Sequence, residues 1–310
     1  STLPTFYGEK TVIRILKEST HGFSLEGLGF HGEALERIYE ALKQKTGMVL
    51  ATGPTGSGKT TTLYTMLDIL NKPEVNISTV EDPIEYQMPR VNQVQVKPEI
   101  GLTFANGLRS LLRQDPNVIM VGEIRDGETA SLAVNASLTG HLVLSTIHTN
   151  SAAGAVPRMI DMGVLPFLII STVKTIIAQR LVRKLTSSKE KYLLTDAEIK
   201  NLGKIVDLDR MLTLLKTEKM VGDKDTWDKI YFYKAVKGGD SEDGYSGRVG
   251  IHEVLKVSGT IKEIISKGGS ADEIEKVAKS EGMMTILEDG VFQAVLGMTT
   301  LEEVFRVVSE

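Results

Sequence analysis

The residues most capable of chemistry in this sequence form a glycine-rich loop, GPTGSGKT, at residues 53–60. The loop fits the pattern G-x-x-x-x-G-K-[ST] and lies between an apolar run and an amphipathic segment. Glycines let successive main-chain N–H groups point at phosphate oxygens, and the positive end of a following helix adds to that attraction. Lys59 is expected to bridge the β- and γ-phosphates, and the Thr60 hydroxyl to hold Mg²⁺. The site predicted here for ATP and Mg²⁺ comprises Gly53, Pro54, Thr55, Gly56, Ser57, Gly58, Lys59, Thr60 and Thr61.

A second candidate group is Glu123, which follows a strand-like apolar run at residues 117–122. A carboxylate at the C-terminal end of a parallel strand lies where the ligand crevice of an open α/β sheet forms. Glu123 is therefore a candidate ligand of the metal or its water shell, although an aspartate is more usual at this point. The alternative is that Glu123 only forms a surface ion pair with Arg125.

Three carboxylates follow another predicted strand, in the sequence EDPIE at residues 81–85. A general base or a ligand of metal-bound water needs a carboxylate in this kind of position. Glu81, Asp82 and Glu85 are all candidates for that role at this point. Because Asp-Pro also begins ordinary turns, the residues alone leave a purely structural role open.

Two histidines and two arginines are further candidates for the site. His141 and His148 flank a predicted strand and are separated by roughly 23 Å of extended chain, so a shared metal site is excluded. His148, at the C-terminal end, could reach the γ-phosphate, whereas His141 is open to a structural role. Arg109 and Arg113 lie four apart on one helical face, which is typical of a solvated face or of phosphate sensing across a subunit boundary.

Short apolar runs alternate with helical patterns along the first half of the chain. The runs are rich in Val, Ile and Leu without strict alternation, as expected for strands buried on both faces of a mainly parallel sheet. Predicted strands occupy residues 48–51, 75–80, 118–121 and 142–147, and predicted helices occupy residues 32–45, 59–70, 103–114 and 127–138. This repetition predicts a layered α/β fold.

The character of the sequence changes near residue 185. Residues 186–246 are rich in lysine and aspartate and contain one helical pattern at 195–217, and the tail from about residue 258 has helical periodicity. The beginning of the chain resembles the last part of an N-terminal domain. It starts at Ser1, continues with a strand-like run at 10–16 and then has a linker that contains Gly22. We expect four parts: a domain remnant with its linker at 1–30, the ATPase core at 31–185, an inserted subdomain at 186–249 and a C-terminal helical domain at 250–310.

Composition limits the classes of function. The formal net charge of -4, from 36 basic and 40 acidic residues, gives no electrostatic footprint for nucleic acid, although it does not exclude a local basic patch. With no cysteine, the chain can form neither a disulfide nor a cysteine-ligated zinc site, so no zinc is expected. The most apolar stretch, residues 163–170, falls far short of the roughly 20 residues that a spanning helix needs, so we expect a soluble chain.

Four blocks of sequence resemble the ATPases of type II secretion and of type IV pilus assembly. ATGPTGSGKTTTLY at 51–64 resembles the family's Walker A, STVEDPIEY at 78–86 its aspartate box, NVIMVGEIRD at 117–126 its atypical Walker B, and TGHLVLSTIHTNSA at 139–152 its histidine box. GYSGRVGIHEV at 244–254 and GMTTLEEVFRVV at 297–308 are similar to segments of its C-terminal region. The resemblance therefore covers nearly the whole chain.

The resemblance implies a RecA-like motor subunit in a homo-hexameric ring, with ATP bound between neighbouring subunits or domains. It implies a place at the cytoplasmic face of the inner membrane, through a platform protein of a pilus or secretion system and without nucleic acid. By position, Glu85 becomes the base that activates water, and Glu123 supports Mg²⁺ and its water shell. His148 and His141 become residues linked to the nucleotide, and Arg109 and Arg113 stay candidates.

One departure from the family concerns the four-cysteine zinc site that secretion and pilus-assembly members usually carry after the motor core. We expect its subdomain to persist at residues 186–246, held by packing around Trp227, Tyr231, Phe232 and Tyr233. Retraction relatives lack this subdomain, so its presence favours assembly or secretion. Two rival functions are a nucleotide-switched scaffold without efficient turnover, which phosphate release would distinguish, and a nucleic-acid-translocating ring ATPase, which DNA-stimulated hydrolysis would reveal.

Overall fold

The computed structural model describes residues 2–13 and 23–309. Part of the predicted strand at 10–16, and Gly22 of the predicted linker, lie outside the described residues. The strands are β1 (Thr2–Thr5), β2 (Gly8–Thr11), β3 (Gly47–Thr52), β4 (Ile77–Glu81), β5 (Val91–Gln95), β6 (Val118–Val121), β7 (Leu142–Ile147), β8 (Val173–Leu185), β9 (Lys189–Leu193), β10 (Tyr231–Ala235) and β11 (Tyr245–Lys256).

The helices occur mainly between strands of the first half and in succession at the end. They are α1 (Gly32–Leu42), α2 (Lys59–Leu70), α3 (Phe104–Leu111), α4 (Gly127–Leu138), α5 (Ala155–Asp161), α6 (Pro166–Thr172), α7 (Asp196–Leu202), α8 (Leu208–Thr217), α9 (Gly259–Ser266), α10 (Ala271–Ser280), α11 (Ile286–Val295) and α12 (Leu301–Ser309). Among the described residues no helix is long and apolar enough to cross a membrane.

A seven-stranded sheet with the order β11-β8-β3-β7-β6-β4-β5 forms the centre of the fold. From β8 to β5 all neighbouring strands are parallel, whereas β11 pairs with β8 in the antiparallel sense. Alternate residues of β3 enter different apolar clusters on the two faces: Met48 and Leu50 pack with α4, α5 and α6, and Val49 and Ala51 pack with α1 and α2. The predicted α/β fold with a mostly parallel sheet is confirmed, since both faces are covered by helices.

The sequence patterns predicted the strands and helices at the centre of the sheet correctly but missed the strands at its two sides. β6, β7, α2 and α4 have the predicted bounds. By contrast, the long strands β8 and β11 and the edge strand β5 were not predicted. β8 and β11 form an antiparallel pair from residues 175–185 and 245–256, and only the first half of β8 also pairs with β3. A strand stabilised by a partner some 70 residues away leaves little local periodicity to detect.

The predicted single helix at 195–217 is wrong, because the structure contains two helices there. Thr195 begins α7 with a capping box to Glu198, and Asp207 begins α8 by accepting the main-chain N–H of Arg210 at 3.1 Å. Each cap satisfies N–H groups that a helix start leaves without an intrahelical partner, so two starts are favoured over one continuous helix.

The region around β9, β10, α7 and α8 has its own apolar cluster, which continues into α11 and α12. Trp227 and Phe232 are buried in it, together with Met211 and Phe292. The predicted packing role is thus confirmed for Trp227 and Phe232, but it is wrong for Tyr231, which is 51% exposed. The predicted boundary between residues 249 and 250 falls inside β11, and the division into four domains stays a prediction.

Candidate active site

The C-terminal ends of four parallel strands meet at one edge of the sheet. β3 leads into the glycine-rich loop, β4 into the acidic segment at 81–85, β6 into Glu123 and β7 into His148. A cleft of about 580 Å³ lies along this edge and is lined by Lys59, Thr60, Asp82, Glu85, Glu123 and His148, among others. Side chains that are far apart in sequence therefore face one common space.

The glycine-rich loop has a backbone that only glycine adopts easily at three positions. Gly53, Gly56 and Gly58 have φ angles of 136°, 78° and 89°. A Cβ on Gly53 would lie 2.4 Å from the carbonyl oxygen of Gln179 in β8, so this glycine is also required by close packing. Gly58 precedes α2 and has no side chain to cap it, which leaves the first N–H groups of the helix available to an anion.

Lys59 is the first residue of α2 and lies half-buried beneath the loop. Its Nζ donates to the carbonyl oxygens of Gly53 and Pro54, at 2.8 and 3.0 Å. Burial lowers the pKa of Lys59, the nearby Glu123 opposes that shift, and Arg180 adds to it. Phosphate oxygens brought against Nζ would stabilise the ammonium form, so this lysine is suited to bind an anion.

The sequence left two roles open for Glu123, a group in the ligand cleft and a partner in an ion pair with Arg125, and the structure shows both contacts. Its Oε2 is 2.5 Å from Nε of Arg125 and 3.2 Å from Nε2 of His148. The Glu123 side chain is only 12% exposed, whereas that of Arg125 is 65% exposed. The ion pair with Arg125 exists, but the carboxylate itself lines the cleft beside His148.

The three carboxylates at residues 81–85 all border the cleft, but they differ in burial and in hydrogen bonding. Glu81 is buried, and its oxygens accept from the Thr79 hydroxyl at 2.5 Å, from the amide of Gln93 at 3.1 Å and from the Tyr64 hydroxyl. Asp82 is exposed and Glu85 is half-buried. The structure therefore separates Glu85 from Glu81, which the sequence alone did not.

Gly53, Pro54 and Ser57 belong to the glycine-rich loop but do not line the cleft, and three predicted site residues lie away from both the loop and the cleft. His141 precedes β7 at the opposite edge of the sheet, where its Nδ1 is 2.9 Å from the carbonyl oxygen of Ala136. Arg109 pairs with Glu128 on the surface of α3 and α4, and Arg113 is exposed just after α3. Within one chain these residues are not brought to the cleft, and their roles stay predictions.

The oxygen groups in the cleft fit a small hard cation. Thr60 and Glu123, which the sequence predicts as metal ligands, both line it, and Mg²⁺ prefers one or two protein oxygens together with substrate phosphates. Across residues 2–13 and 23–309 there is no group of three or more His, Cys, Asp and Glu side chains that could hold a metal by itself. The site is thus suited to a metal that arrives with phosphates.

Glu253 in β11 is a residue that sequence reasoning did not single out. It is buried, and its Oε1 accepts the N–H of Ala152 at 2.8 Å, in the loop that follows β7 and carries His148. The N–H of Ile286, at the start of α11, contributes another hydrogen bond. Burial nevertheless raises the pKa of Glu253 to about 7. This carboxyl group connects the cleft loop to the C-terminal helices.

Replacing this group by Glu253→Gln is expected to change how stability depends on pH. The pKa of Glu253 rises from 4.5 to about 7 on folding, so between about pH 4.5 and about pH 7 the folded state binds the proton more tightly than the unfolded state does. The free energy of unfolding of the wild type therefore falls as pH rises through it. Glutamine keeps an oxygen for Ala152 and cannot ionise. From about pH 5 to about pH 8, the variant should gain on the order of 2 kcal/mol relative to the wild type.

Urea denaturation at a series of pH values measures this difference. The pKa of His252, which burial lowers to about 4, gives the opposite pH dependence, but it is common to both proteins and cancels in the comparison. A difference between the two proteins that stays constant with pH would contradict the assignment.

The parallel sheet, the glycine-rich loop and the carboxylates at neighbouring strand ends define a P-loop nucleotide-binding protein of the α/β class. The family described as "Type II/IV secretion system protein" matches residues 1–306. The chain therefore belongs to the type II/IV secretion system protein family.

Relatives from both pilus assembly and secretion are similar to this chain. It is 46% identical over 310 residues to the type IV pilus assembly ATPase PilB of Pseudomonas aeruginosa, covering 100% of this chain and 52% of that protein. It is 45% identical over 311 residues to the type II secretion system protein E of Xanthomonas campestris pv. campestris, with coverage of 100% and 52%. The chain thus spans about half the length of these curated relatives.

A solved structure supports the fold assignment. The crystal structure of the pilus retraction motor PilT with bound ADP is 27% identical and superposes with a TM-score of 0.65, over 98% of this chain and 72% of that one.

Proposed function

We propose that this chain is the ATP-hydrolysing part of a hexameric motor that powers type IV pilus assembly or type II protein secretion. The observation that carries the proposal is the cleft in which Lys59 of the phosphate loop, Glu85 and Glu123 face one space. Relatives of nearly equal identity are named for pilus assembly and for secretion, and the proposal accordingly covers both. A folded counterpart of the inserted subdomain, built from β9, β10, α7 and α8, supports these roles over retraction.

The proposed chemistry is in-line attack of water on the γ-phosphorus of ATP, which breaks the bond to the β–γ bridging oxygen and releases ADP. Glu85 takes the proton from the attacking water, and Lys59 stabilises charge on the phosphate oxygens. Thr60 and Glu123 would hold Mg²⁺, which would supply positive charge against the phosphates. His148, 3.2 Å from Glu123, keeps that carboxylate oriented towards the γ-phosphate side of the cleft.

The residues outside the cleft suit a role between subunits. Arg109 and Arg113 lie on an exposed surface, and His141 is at the far edge of the sheet. We propose that they act at the boundary with a neighbouring subunit of a homo-hexamer. The ring would pass its motion to an inner-membrane platform protein at the cytoplasmic face, without binding nucleic acid.

Phosphate release and oligomeric state, measured on the full-length protein with and without ATP, test this function. We expect Mg²⁺-dependent turnover and a particle with the mass of a hexamer. Tight ATP binding without phosphate release would instead support a nucleotide-switched scaffold. Strong stimulation of hydrolysis by DNA would support a nucleic-acid translocase and contradict the proposal.

A further inference from the structure

The segment after β4 that carries Glu85 is held in place by side chains from two other elements. One is Tyr64, in the middle of α2, the helix that begins at Lys59. The other is Gln93, in the edge strand β5. Neither residue was singled out by the sequence patterns.

Tyr64 is fully buried, and its oxygen makes hydrogen bonds with three residues, one of them with Nε2 of Gln93 at 3.4 Å. Its hydroxyl donates to Glu81 at the end of β4, and the main-chain N–H of Glu85 forms a hydrogen bond with the Tyr64 oxygen. Burial, followed by the carboxylate of Glu81, raises the pKa of Tyr64, so the phenol keeps its proton. The ring also packs edge-on against the ring of Tyr86, with 4.5 Å between centroids.

Gln93 contacts the same segment at two further points. Its Nε2 donates to the carbonyl oxygen of Tyr86 and to Oε1 of Glu81, both at 3.1 Å. Its Oε1 accepts the main-chain N–H of Met88 at 2.7 Å. The backbone is therefore fixed at residues 85, 86 and 88 by two side chains that meet at Glu81.

This network joins the phosphate loop to the carboxylate that faces it. Tyr64 and Lys59 belong to the same helix, α2. A buried helix opens less readily than the loops around it, so the distance between these two residues is kept when the loops move. A carboxylate acting on a water molecule must be placed accurately, because a displacement of about 1 Å can cost about 100-fold in rate. We propose that Tyr64 and Gln93 are positioning residues that set the place of Glu85 relative to the phosphate loop. This inference rests on the proposed function for its kinetic consequence.

The variant Tyr64→Phe tests the inference, because it removes one oxygen and keeps the ring. We expect kcat for ATP hydrolysis by the full-length protein to fall about 10- to 100-fold, with the KM for ATP changed by less than about twofold. Amide hydrogen exchange within residues 82–90 should become faster. Tyr39→Phe is the matched control, because the hydroxyl of Tyr39 is exposed and makes a long hydrogen bond of 3.4 Å to Glu26 Oε1. This control should change neither kcat nor the exchange rate at residues 82–90.

A double-mutant cycle with Glu85→Gln distinguishes positioning from general damage. If Tyr64 acts through Glu85, adding Tyr64→Phe to Glu85→Gln should lower kcat by no more than about twofold further. Full additivity in that background would overturn the inference, as would a wild-type kcat in Tyr64→Phe. Because Tyr64→Phe also removes a donor from buried Glu81 and can impair folding, Gln93→Ala provides a second variant with the same expected kinetic and exchange changes.

The exchange measurement keeps the two proposals separate. A wild-type protein that shows no ATP turnover would contradict the proposed function, while exchange at 82–90 in Tyr64→Phe and Gln93→Ala would still test the positioning network. Unchanged exchange at 82–90 in both variants would overturn the network even if the protein is an active ATPase.

Discussion

Lys59→Ala is expected to abolish ATP hydrolysis, with kcat at least about 100- to 1000-fold below that of the wild type. The ammonium group lies under the glycine-rich loop, held by the carbonyl oxygens of Gly53 and Pro54 at 2.8 and 3.0 Å. We expect this ammonium group to bind the β- and γ-phosphates of ATP. Alanine leaves the loop backbone in place but removes the only charge at the start of α2 that faces the phosphates.

Steady-state phosphate release measures this effect, and the matched control is Lys45→Ala. Lys45 is exposed and precedes β3 at the opposite edge of the sheet, so its removal should leave turnover unchanged. If the Lys59→Ala protein kept more than about a tenth of the wild-type rate, the prediction that this loop binds the γ-phosphate would be contradicted.

Glu85→Gln is expected to lower kcat by about 100- to 10,000-fold while ATP binding stays close to that of the wild type. Glu85 lines the same cleft as Lys59, and the glutamine amide has nearly the same shape but cannot accept a proton from water. An effect confined to kcat indicates an interaction made in the transition state and absent from the ground state.

Single-turnover hydrolysis together with equilibrium binding of a fluorescent ATP analogue checks this prediction. Glu99→Gln is the control, because Glu99 is exposed in the short helical turn Pro98–Ile100 and does not line the cleft. Normal turnover by the Glu85 variant would contradict its assignment as the base and favour Asp82, the exposed carboxylate of this segment.

Much of the central fold is predictable from local sequence. Residues 59–70 begin on a glycine-rich loop and carry helix-forming residues, and 118–121 and 142–147 are short apolar runs. Each of these signals arises within a few residues of the element itself, and the structure places α2, β6 and β7 at those positions. β8 and β11 could not be located in this way, because their main stabilisation is the pairing between them.

The candidate site shows the same division. The identity of the phosphate loop follows from its spacing of glycines, Lys59 and Thr60, because each residue type has a chemical task that few substitutes can perform. The sequence also placed Glu85, Glu123 and His148 after strands whose C-terminal ends share an edge. It did not show that Glu81 would be buried against Tyr64 and Gln93, since these three residues come from different strands and a helix.

The sequence by itself therefore determined the phosphate loop, the strand before it and the helix after it. It also determined the carboxylates that follow β4 and β6. Only the tertiary structure decided that Glu81 is buried among hydrogen-bond partners while Asp82 and Glu85 are less buried. It also decided that His141, Arg109 and Arg113 lie away from the cleft in a single chain. The physical reason is that residue type and spacing express local preference, whereas burial and hydrogen-bond partners depend on elements brought together from distant parts of the chain. The phosphate loop is local, and the positioning of Glu85 by Tyr64 and Gln93 is not.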